Sequence, residues 1–424
     1  MNCLSVKLSE GPVHYRFSLI EKSITASNKQ RLLIELLDYR TKAYLYPGRK
    51  SSLVDSLYTD SLYSGTLALY TINNSSTNHR FDYKFYCLNK GITHSGYMVG
   101  NTIQPLRNEN KWNRLSSSTH WRSQFKSFIS STTLSDSVQS VIYGITLGDT
   151  KTMDNELLST FRHLGIAHLL AVSGLHVGIL YGLLVLLFGM FFRVGRFSQL
   201  KVLGPVLLIW IFCWLVGFSP SVLRATVMCS FLGAFTLSGR PYLGIHVLAV
   251  TAFLLLLFNP LNLFDVGFQL SFTAVLFIML AVDLFNRFVR IENRVIRNIS
   301  LYITVCVAAQ IGVLPLTLYY FSYFQPWFLL PNLLIVPLVP FFILFVIMLM
   351  LLGALGIEIA FPLFLLDMWF TYFFGMMEIS RSLFINHIIS IEIGKAEVFL
   401  SYLLLLFFFY ISFRFIPSYS KVRK

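Results

Sequence analysis

The chain has 424 residues, of which 55% are hydrophobic and 13% charged, and its formal net charge is +14. Soluble domains carry roughly a quarter charged residues, so this composition excludes an ordinary soluble protein and indicates one that crosses a membrane several times. Residues 1–126 have the mixture of polar and apolar residues that is typical of a soluble domain, whereas the chain from Leu164 onward is a succession of hydrophobic runs. We predict three parts: a domain over 1–126, a connector of amphipathic helices over 127–163, and a membrane region over 164–424.

The first part contains segments in which apolar and polar residues alternate as they do in β-strands. These segments are YRFSLI, QRLLIELLDY, KAYLYP and HSGYMV, and FDYKFYCLNKGI, before the last of them, predicts a helix. Turns separate the strands, so we predict a small β-barrel. This part holds 17 Lys/Arg against 8 Asp/Glu, a balance of +9.

Basic and aromatic residues are interleaved in this cationic part. Lysine and arginine neutralise phosphates, and aromatic rings stack bases without reading their sequence. The candidates for such binding are the basic residues Lys42, Arg49, Lys84 and Lys90 beside Tyr44, Tyr46, Tyr83, Tyr86 and Tyr97. The alternative is a solvated basic surface over core tyrosines, which is an equally good interpretation of any single residue.

The connector contains the segment LGDTKTMDNELL, which leads into a short helix. Asp154 and Glu156 suit the first turn of that helix, and Gly165 predicts its stop or a hinge. Asp149 has no second carboxylate placed to pair with it. We therefore interpret these acidic residues as capping groups, and we predict no catalytic residue.

Nine hydrophobic runs in the third part are near the length that crosses about 30 Å of hydrocarbon. Their limits are Leu164–Phe192, Leu200–Gly217, Ser221–Ser238, Leu243–Phe258, Val266–Phe285, Ser300–Phe321, Trp327–Leu352, Ile357–Ile379 and Val398–Phe413. The seventh run contains Pro331, Pro337 and Pro340, which predicts a broken or re-entrant segment. We expect an α-helical polytopic membrane region of about nine spans.

The positive charges between the runs predict an orientation. One set of connections, with the tail, carries twelve: Arg193, Arg196, Lys201, Arg240, Arg287, Arg290, Arg294, Arg297, Arg414, Lys421, Arg423 and Lys424. The alternate set carries two, Arg381 and Lys395. This asymmetry places the C-terminus in the cytoplasm and, with an odd number of spans, the N-terminal domain outside.

The first run contains HLLAVSGLHVGILYG, which places a serine, a histidine and three glycines in an apolar segment. Gly174, Gly178 and Gly182 fall at i, i+4 and i+8, a spacing that predicts a stripe for close helix packing. Ser173 and His176 fall on nearly the opposite side of the predicted helix, facing a cavity or a partner. The alternative is a serine bonded to its own helix and a packed histidine.

Further polar residues interrupt later runs, where burial in hydrocarbon is costly and indicates function. Arg224, with Ser219 and Ser221 before it, is a candidate for phosphate contact, although an arginine near a helix end also reaches the interface by snorkelling. Asp265 and Gln269 share a helix face, and the simpler interpretation of Asp265 is an N-cap. Gln310 lies about midway along its run and needs a buried partner. All fall in the outer half or near the midplane, as expected for a cavity open to the outside.

Several kinds of site find no support in the sequence. The histidines and cysteines show no metal-ligand spacing, and there is no ATP-binding Gly-x-x-x-x-Gly-Lys-Ser/Thr loop, so we predict neither a metal nor a cofactor. Cys3 and Cys87 would both lie outside, where a disulfide survives, but the sequence leaves their pairing open. Cys213, Cys229 and Cys306 read as small apolar residues.

Five ordered blocks resemble the ComEC family of bacterial competence proteins. They are YGITLGDTKTMDNELLSTFRHLGIAHLLAVSGLHVGIL, GFSPSVLRA, NPLNLFDVGFQLSF, AAQIGVLPL and PNLLIVPLV. The first part is also similar, more weakly, to the exported OB-like domain of that family. We expect two differences from the family pattern. This sequence shows no counterpart of the spans that usually precede the OB-like domain, and none of the metallo-β-lactamase-like domain with which many members end.

The resemblance implies a channel for single-stranded DNA in the bacterial inner membrane. Ser173, His176, Arg224, Asp265, Gln269 and Gln310 would then line the DNA path. Energy would come from a cytoplasmic ATP-driven motor, with a separate DNA receptor and nuclease, and the oligomeric state stays open. Two alternatives remain: an intramembrane serine hydrolase using Ser173 with a histidine such as His246, and a small-solute transporter, which would predict inverted repeats that are not found.

Overall fold

The computed structural model describes residues 11–24, 30–39, 41–47, 57, 61–73, 82–99, 103–106, 118–170, 172–191, 199–239, 244–354, 360–384 and 389–415. The chain forms two compact units, Met1–Gln124 and Phe125–Lys424. Arg49 and Cys3, which the sequence singles out, lie outside the described residues.

The first unit is a β-barrel. Its strands are β1 (Gly11–Ile24), β2 (Gln30–Leu36), β3 (Thr41–Tyr46), β4 (Leu62–Thr71) and β5 (Ile92–Met98), with a short β6 (Gln104–Pro105) beside β4. The order β1-β2-β3-β5-β4 closes because β4 also pairs with β1, and β3 and β5 run parallel. The predicted barrel is confirmed, and it is of the five-stranded type to which OB folds belong.

Strand alternation explains why the barrel closes around an apolar interior. Leu32, Ile34 and Leu36 of β2 point inward and are at most 1% exposed. Leu67 and Leu69 of β4 are also fully buried. The strand β4 is missing from the sequence prediction, because Ser64, Gly65, Thr66 and Ala68 dilute its apolar pattern.

The helix predicted before the last strand is confirmed as α1 (Tyr83–Asn89). It begins at Asp82, whose side chain accepts a hydrogen bond from the backbone N–H of Phe85 at 2.7 Å. On the barrel side, Cys87 is fully buried against Tyr44 and Ile92. The helix thus covers part of the outer surface of the barrel with a second, smaller apolar cluster.

Three helices come before the membrane region: α2 (Ser118–Ser130), whose second half belongs to the second unit, α3 (Asp136–Leu147) and α4 (Asn155–His163). Ser135 caps α3 and Gly148 ends it with a left-handed φ of 69°. After α4, Gly165 has φ of 70°, which confirms the predicted stop. The first hydrophobic run is therefore helical in its second half, from Gly174, and not from Leu164.

Nine helical segments follow in the described part of the membrane region. They are α5 (Gly174–Phe191), α6 (Leu200–Leu215), α7 (Pro220–Ser238), α8 (Gly244–Phe258), α9 (Val266–Phe288), α10 (Arg294–Phe321), α11 (Leu329–Ile335) with α12 (Val339–Ala354), α13 (Ala360–Phe384) and α14 (Lys395–Phe415). Seven are long and apolar enough to cross a membrane, and α6 and α8 are shorter apolar helices. The chain is a multi-pass membrane protein.

The seventh segment is broken, as its prolines predict. A 3-10 turn over Val336–Leu338 separates α11 from α12, where Pro337 and Pro340 interrupt backbone hydrogen bonding. The amphipathic helices before the membrane region pack here: Ile129 of α2 and Ile142 of α3 share a buried cluster with Phe342 of α12 and Phe370 of α13. This cluster joins the connector helices to the bundle.

Candidate functional site

Three helices of the bundle begin next to one another. The hydroxyl of Ser221, in the first turn of α7, donates to the carbonyl of Val172, just before α5, at 2.5 Å. The guanidinium of Arg224, one turn further along α7, donates to the carbonyl of Gly267 in the first turn of α9 at 3.0 Å. The starts of α5, α7 and α9 thus adjoin, and four of the sequence-predicted polar residues lie at these starts: Ser173, His176, Arg224 and Asp265.

Arg224 is buried within this group, with 4% of its surface exposed. It therefore does not snorkel to the membrane surface, and the snorkelling interpretation is wrong. Its neighbour is Asp265, because Oδ1 of Asp265 and Nη2 of Arg224 both lie within 4.0 Å of where a Cβ on Gly267 would sit. The carboxylate supplies the counter-charge that a buried guanidinium requires.

Asp265 is the N-cap of α9, as the simpler interpretation predicts. Its side chain accepts from the backbone N–H of Phe268 at 2.8 Å. An aspartate at this position also interacts favourably with the positive end of the helix dipole. Asp265 thus stabilises the start of α9 and partly neutralises Arg224 at the same time.

Ser173 and His176 form the second element of the group. Ser173 lies just before α5, and its Oγ is 2.8 Å from Nδ1 of His176. The backbone N–H of Ser173 also donates to Nδ1, at 3.1 Å, so this nitrogen is an acceptor and the proton of a neutral ring lies on Nε2. The prediction that both residues project from one face of a helix is wrong, because α5 starts after Ser173.

Three buried polar atoms of these residues have no hydrogen-bond partner within the described residues. They are Nε2 of His176, Oγ of Ser219 and Nε of Arg224. Buried polar atoms are nearly always paired, and leaving one unpaired costs about 1–3 kcal/mol. Their occurrence together marks the starts of α5 and α7 as a polar centre inside an otherwise apolar bundle. We call Ser173, His176, Ser219, Arg224 and Asp265 the polar centre.

Gln269 and Gln310 have different surroundings. Gln269, one turn after Asp265, donates to the carbonyl of Leu263 and accepts from the hydroxyl of Tyr320 on α10, both at 2.9 Å. Gln310 precedes Tyr320 by ten residues, about 15 Å along α10. It is half-buried and makes no hydrogen bond within the described part of the chain, so the expected buried partner is absent there.

The glycine stripe of α5 does not pack as predicted. A Cβ on Gly178 or Gly182 would meet no atom of the described residues within 4 Å, and a Cβ on Gly174 would lie 3.6 Å from Cβ of Ala225. The three positions are exposed, and among the described residues only Gly174 lies near another helix, α7. The spacing identified a common face correctly but could not say what that face contacts.

The barrel carries a surface of aromatic and basic side chains. The guanidinium of Arg31 lies over the ring of Tyr44 at 4.2 Å, and the rings of Tyr46 and Tyr97 are 6.1 Å apart on paired strands. Tyr97 is 60% exposed. We call Arg31, Tyr44, Tyr46 and Tyr97 the aromatic face. Arg31 was missed in the sequence, although it lies on β2, the strand that pairs with β3 and its tyrosines.

The other barrel candidates divide between the surface and the second apolar cluster. Tyr44 is 8% exposed, and Tyr83 and Tyr86 pack beside Cys87. Burial raises the pKa of Tyr44 to about 12, which keeps its phenol neutral. Lys90 lies over the ring of Tyr86 at 4.3 Å. Of the remaining lysines, Lys84 is exposed and Lys42 is half-buried opposite Glu35 of β2.

Asp149 has a structural partner at the start of the membrane unit. It is 9% exposed and pairs with Nζ of Lys126 on α2 at 2.5 Å. Its second oxygen accepts from the backbone N–H of Lys151 at 3.1 Å. The hydroxyl of Tyr143 also donates to the carbonyl of Lys126 at 3.1 Å. These bonds hold α2 against α3 and the turn that follows α3.

Residues 145–415 match the family described as "Competence protein". The chain belongs to the competence protein family. The family resemblance predicted from the sequence blocks is confirmed. The polar centre lies within the matched residues, and the barrel lies before them.

Individual relatives cover shorter stretches. ComE operon protein 3 of Bacillus subtilis is 32% identical over 276 residues, which are 64% of this chain and 33% of the relative. Recombination protein 2 of Haemophilus influenzae is 30% identical over 144 residues, 33% of this chain and 18% of the relative. The protein YcaI of Escherichia coli is 27% identical over 235 residues, 54% and 31% of the two chains. The chain thus spans a third or less of each relative. No solved structure matches it.

Proposed function

We propose that this competence-family protein conducts single-stranded DNA inward across the bacterial cytoplasmic membrane. The observation that carries the proposal is the polar centre, a buried arginine and three adjoining helix starts inside an apolar bundle of the competence family. The barrel would gather the strand outside, and the bundle would admit it.

The polar centre suits the backbone of a nucleic acid. Helix N-termini carry partial positive charge and free N–H groups, which attract phosphate oxygens. Arg224 adds a guanidinium whose Nε has no partner within the described residues. Asp265 limits the positive charge, so that a phosphate would be attracted without being held tightly. A conducting path needs such weak binding, because each phosphate must leave as well as enter.

The aromatic face suits single-stranded DNA in the same way. Base stacking on an aromatic ring contributes about 1–3 kcal/mol per base and does not depend on base identity. Tyr97 and Tyr46 present neighbouring rings on paired strands, and Arg31 adds charge at the same face. OB-type barrels bind oligonucleotides on the face that includes β2 and β3.

The orientation and partners belong to the same proposal. The asymmetry of twelve positive charges against two supports a cytoplasmic C-terminus and a barrel on the outside. A cytoplasmic ATP-driven motor would pull the strand, and a separate receptor and nuclease would deliver it. Cysteine labelling from either side of the membrane tests the orientation, and protection of a cysteine at position 395 from an outside reagent would contradict it.

The test of the conduction proposal combines binding and uptake by the full chain. Single-stranded DNA should bind the protein in lipid nanodiscs with little sequence preference and with affinity that falls steeply as salt rises. Tyr97→Ala and Arg31→Gln should each weaken binding about fivefold or more, whereas Tyr39→Ala is the matched control, since Tyr39 is 44% exposed and is not part of the aromatic face. Arg224→Gln should abolish uptake in a host without its own competence-family protein and weaken this binding less than Tyr97→Ala does, since the polar centre holds phosphate only weakly. Salt-independent binding, or full uptake by Arg224→Gln, would contradict the proposal.

A second candidate function has one observation in its favour. The distance of 2.8 Å from Oγ of Ser173 to Nδ1 of His176 is within the reach of a nucleophile and its base. However, Nδ1 is also occupied by the backbone N–H of Ser173, and Nε2 has no orienting carboxylate within the described residues. His246, the partner first considered, lies exposed on α8. Covalent labelling of Ser173 by a fluorophosphonate would favour the hydrolase over the channel.

A further inference from the structure

A cavity of about 320 Å3 lies between α9, α10 and α14. Each helix contributes side chains to the lining of the cavity, among them Phe277 of α9, Val307 of α10 and Phe409 of α14. Thr304 is the polar side chain in this lining, and its hydroxyl donates to the carbonyl of Ser300 in its own helix at 2.8 Å. An apolar cavity of this kind stays dry. It therefore suits a hydrocarbon chain and not a polar ligand.

The cavity opens on the outer surface of the bundle. Ile311 and Phe408, which line it, are 40% and 59% exposed. In a multi-pass membrane protein such exposed apolar residues contact lipid, so the acyl chains of the bilayer reach the cavity directly.

Two arginines stand at one end of the cavity, each at one of the helix interfaces that bound it. The guanidinium of Arg287 on α9 lies 4.8 Å from the ring centre of Phe413 on α14, and that ring contacts Phe409 at 6.4 Å. Nη2 of Arg297 on α10 donates to Oδ1 of Asn286 on α9 at 3.3 Å. Arg287 thus lies at the interface of α9 with α14, and Arg297 lies at the interface of α9 with α10.

The arginines and the cavity lie at different depths of the membrane. Arg297 precedes Thr304 by seven residues, so the two share a face of α10 and are about 10 Å apart along it. The 28 residues of α10 span about 42 Å, which exceeds the roughly 30 Å of hydrocarbon. Arg297, three residues after the start of α10, is therefore at the level of lipid headgroups, and the cavity is at the level of acyl chains.

We propose that this site binds one anionic phospholipid, with an acyl chain in the cavity and the phosphate between Arg287 and Arg297. The charge of this end of the helices favours an anionic over a zwitterionic headgroup. The segment 283–297 contains four arginines, at 287, 290, 294 and 297, against two acidic residues, Asp283 and Glu292. Asp283 pairs with Arg287 at 3.1 Å. A zwitterionic headgroup would bring a further cation beside these arginines.

The experiment measures lipid retained by the full chain. The protein is purified in detergent, supplied with phosphatidylglycerol or phosphatidylcholine of identical acyl chains, and analysed by native mass spectrometry. We expect one phosphatidylglycerol to be retained in preference to phosphatidylcholine. Each arginine near an anionic surface contributes about fivefold in affinity, so Arg287→Gln with Arg297→Gln should lower retention roughly 25-fold. Lys201→Gln removes one positive charge on α6, away from the cavity, and should leave retention unchanged.

Two further measurements distinguish the binding of a phospholipid from the binding of phosphate from another source. Inorganic phosphate or a single-stranded oligonucleotide should not displace the phosphatidylglycerol, because neither fills the cavity. Ala281→Phe should reduce retention by filling the cavity from α9, and the double arginine variant remains the test if this variant fails to fold. Equal retention of both lipids by the native chain, unchanged retention by the double arginine variant, or displacement by the oligonucleotide would overturn the proposal. None of these outcomes depends on whether the chain conducts DNA.

Discussion

Nδ1 of His176 accepts two hydrogen bonds from the same residue, one from the hydroxyl of Ser173 at 2.8 Å and one from its backbone N–H at 3.1 Å. The second bond resembles the reciprocal half of a capping box, in which a side chain in the first turn accepts from the N–H of the residue that precedes the helix. The pair therefore stabilises the start of α5 irrespective of any chemistry at the serine.

Ser173→Ala should lower uptake only partially, because the backbone bond to His176 remains. The lost side-chain hydrogen bond is expected to cost about 1 kcal/mol of stability. His176→Ala removes both bonds and should have the larger effect on thermal unfolding in detergent. If Ser173→Ala alone abolishes uptake while the protein stays as stable as the native chain, the structural role of the pair is refuted.

Arg224→Gln should destabilise the bundle by about 2–3 kcal/mol, because it leaves the carbonyl of Gly267 and the carboxylate of Asp265 without the buried charge that faces them. Arg224→Lys keeps the charge but loses the planar fork, so we expect intermediate stability. Thermal unfolding of both variants in detergent provides the measurement, and Lys201→Gln on α6 is the control. Native stability of Arg224→Gln would show that the guanidinium makes no net contribution.

Gly312→Ala and Gly178→Ala should have opposite outcomes although both lie in membrane helices. A Cβ on Gly312 would come within 2.7 Å of Cβ of Phe277, a fully buried residue on α9, so α9 and α10 would have to move apart at a cost of about 1–3 kcal/mol. At Gly178 the added methyl meets open space, and the thermal midpoint should stay the same or rise slightly. A larger loss at Gly178 than at Gly312 would mean that the open face of α5 packs against another molecule.

The barrel should lose stability in mild acid because of His94. This side chain is 3% exposed, and burial lowers its pKa below the ordinary value of 6.5. The unfolded chain therefore binds a proton more readily than the barrel does, so stability is complete above pH 6.5 and declines as pH falls below it. Pulse proteolysis of the full chain in urea at pH 7.5 and 5.5 measures the effect on the barrel. His94→Gln should remove most of the pH dependence, and a dependence that is unchanged in this variant would assign it to other groups.

The sequence was sufficient for the fold because its signals are local. Span limits follow from the length of apolar runs, and the broken seventh segment follows from Pro337 and Pro340. The start of α5 was wrong because hydrophobicity alone cannot show that Gly165 ends the preceding helix and that a 3-10 turn intervenes. The strand β4 was missed because small residues obscure its alternation.

The candidate site was predictable only in part, because the sequence of one helix does not show which other helices it contacts. Arg224, Asp265 and Ser173 were singled out because polar residues in apolar runs are costly. Their association depends on which helix starts adjoin, and the bond between Arg224 and Gly267 links positions 43 residues apart. Tyr320, the partner of Gln269, gave no signal, because a tyrosine among apolar residues is also typical of a membrane interface.

The helix α10 is bonded to three different neighbours along its length. Tyr302 donates to the carbonyl of Asn332 on α11 at 2.9 Å, the carbonyl of Gly312 accepts from Tyr402 on α14 at 3.0 Å, and Tyr320 donates to Gln269 on α9 at 2.9 Å. The three attachments are spread over about 27 Å of the helix. A helix held at three points along its length cannot tilt or slide without breaking several bonds at once. We therefore expect α10 to keep its position during any gating movement of the bundle.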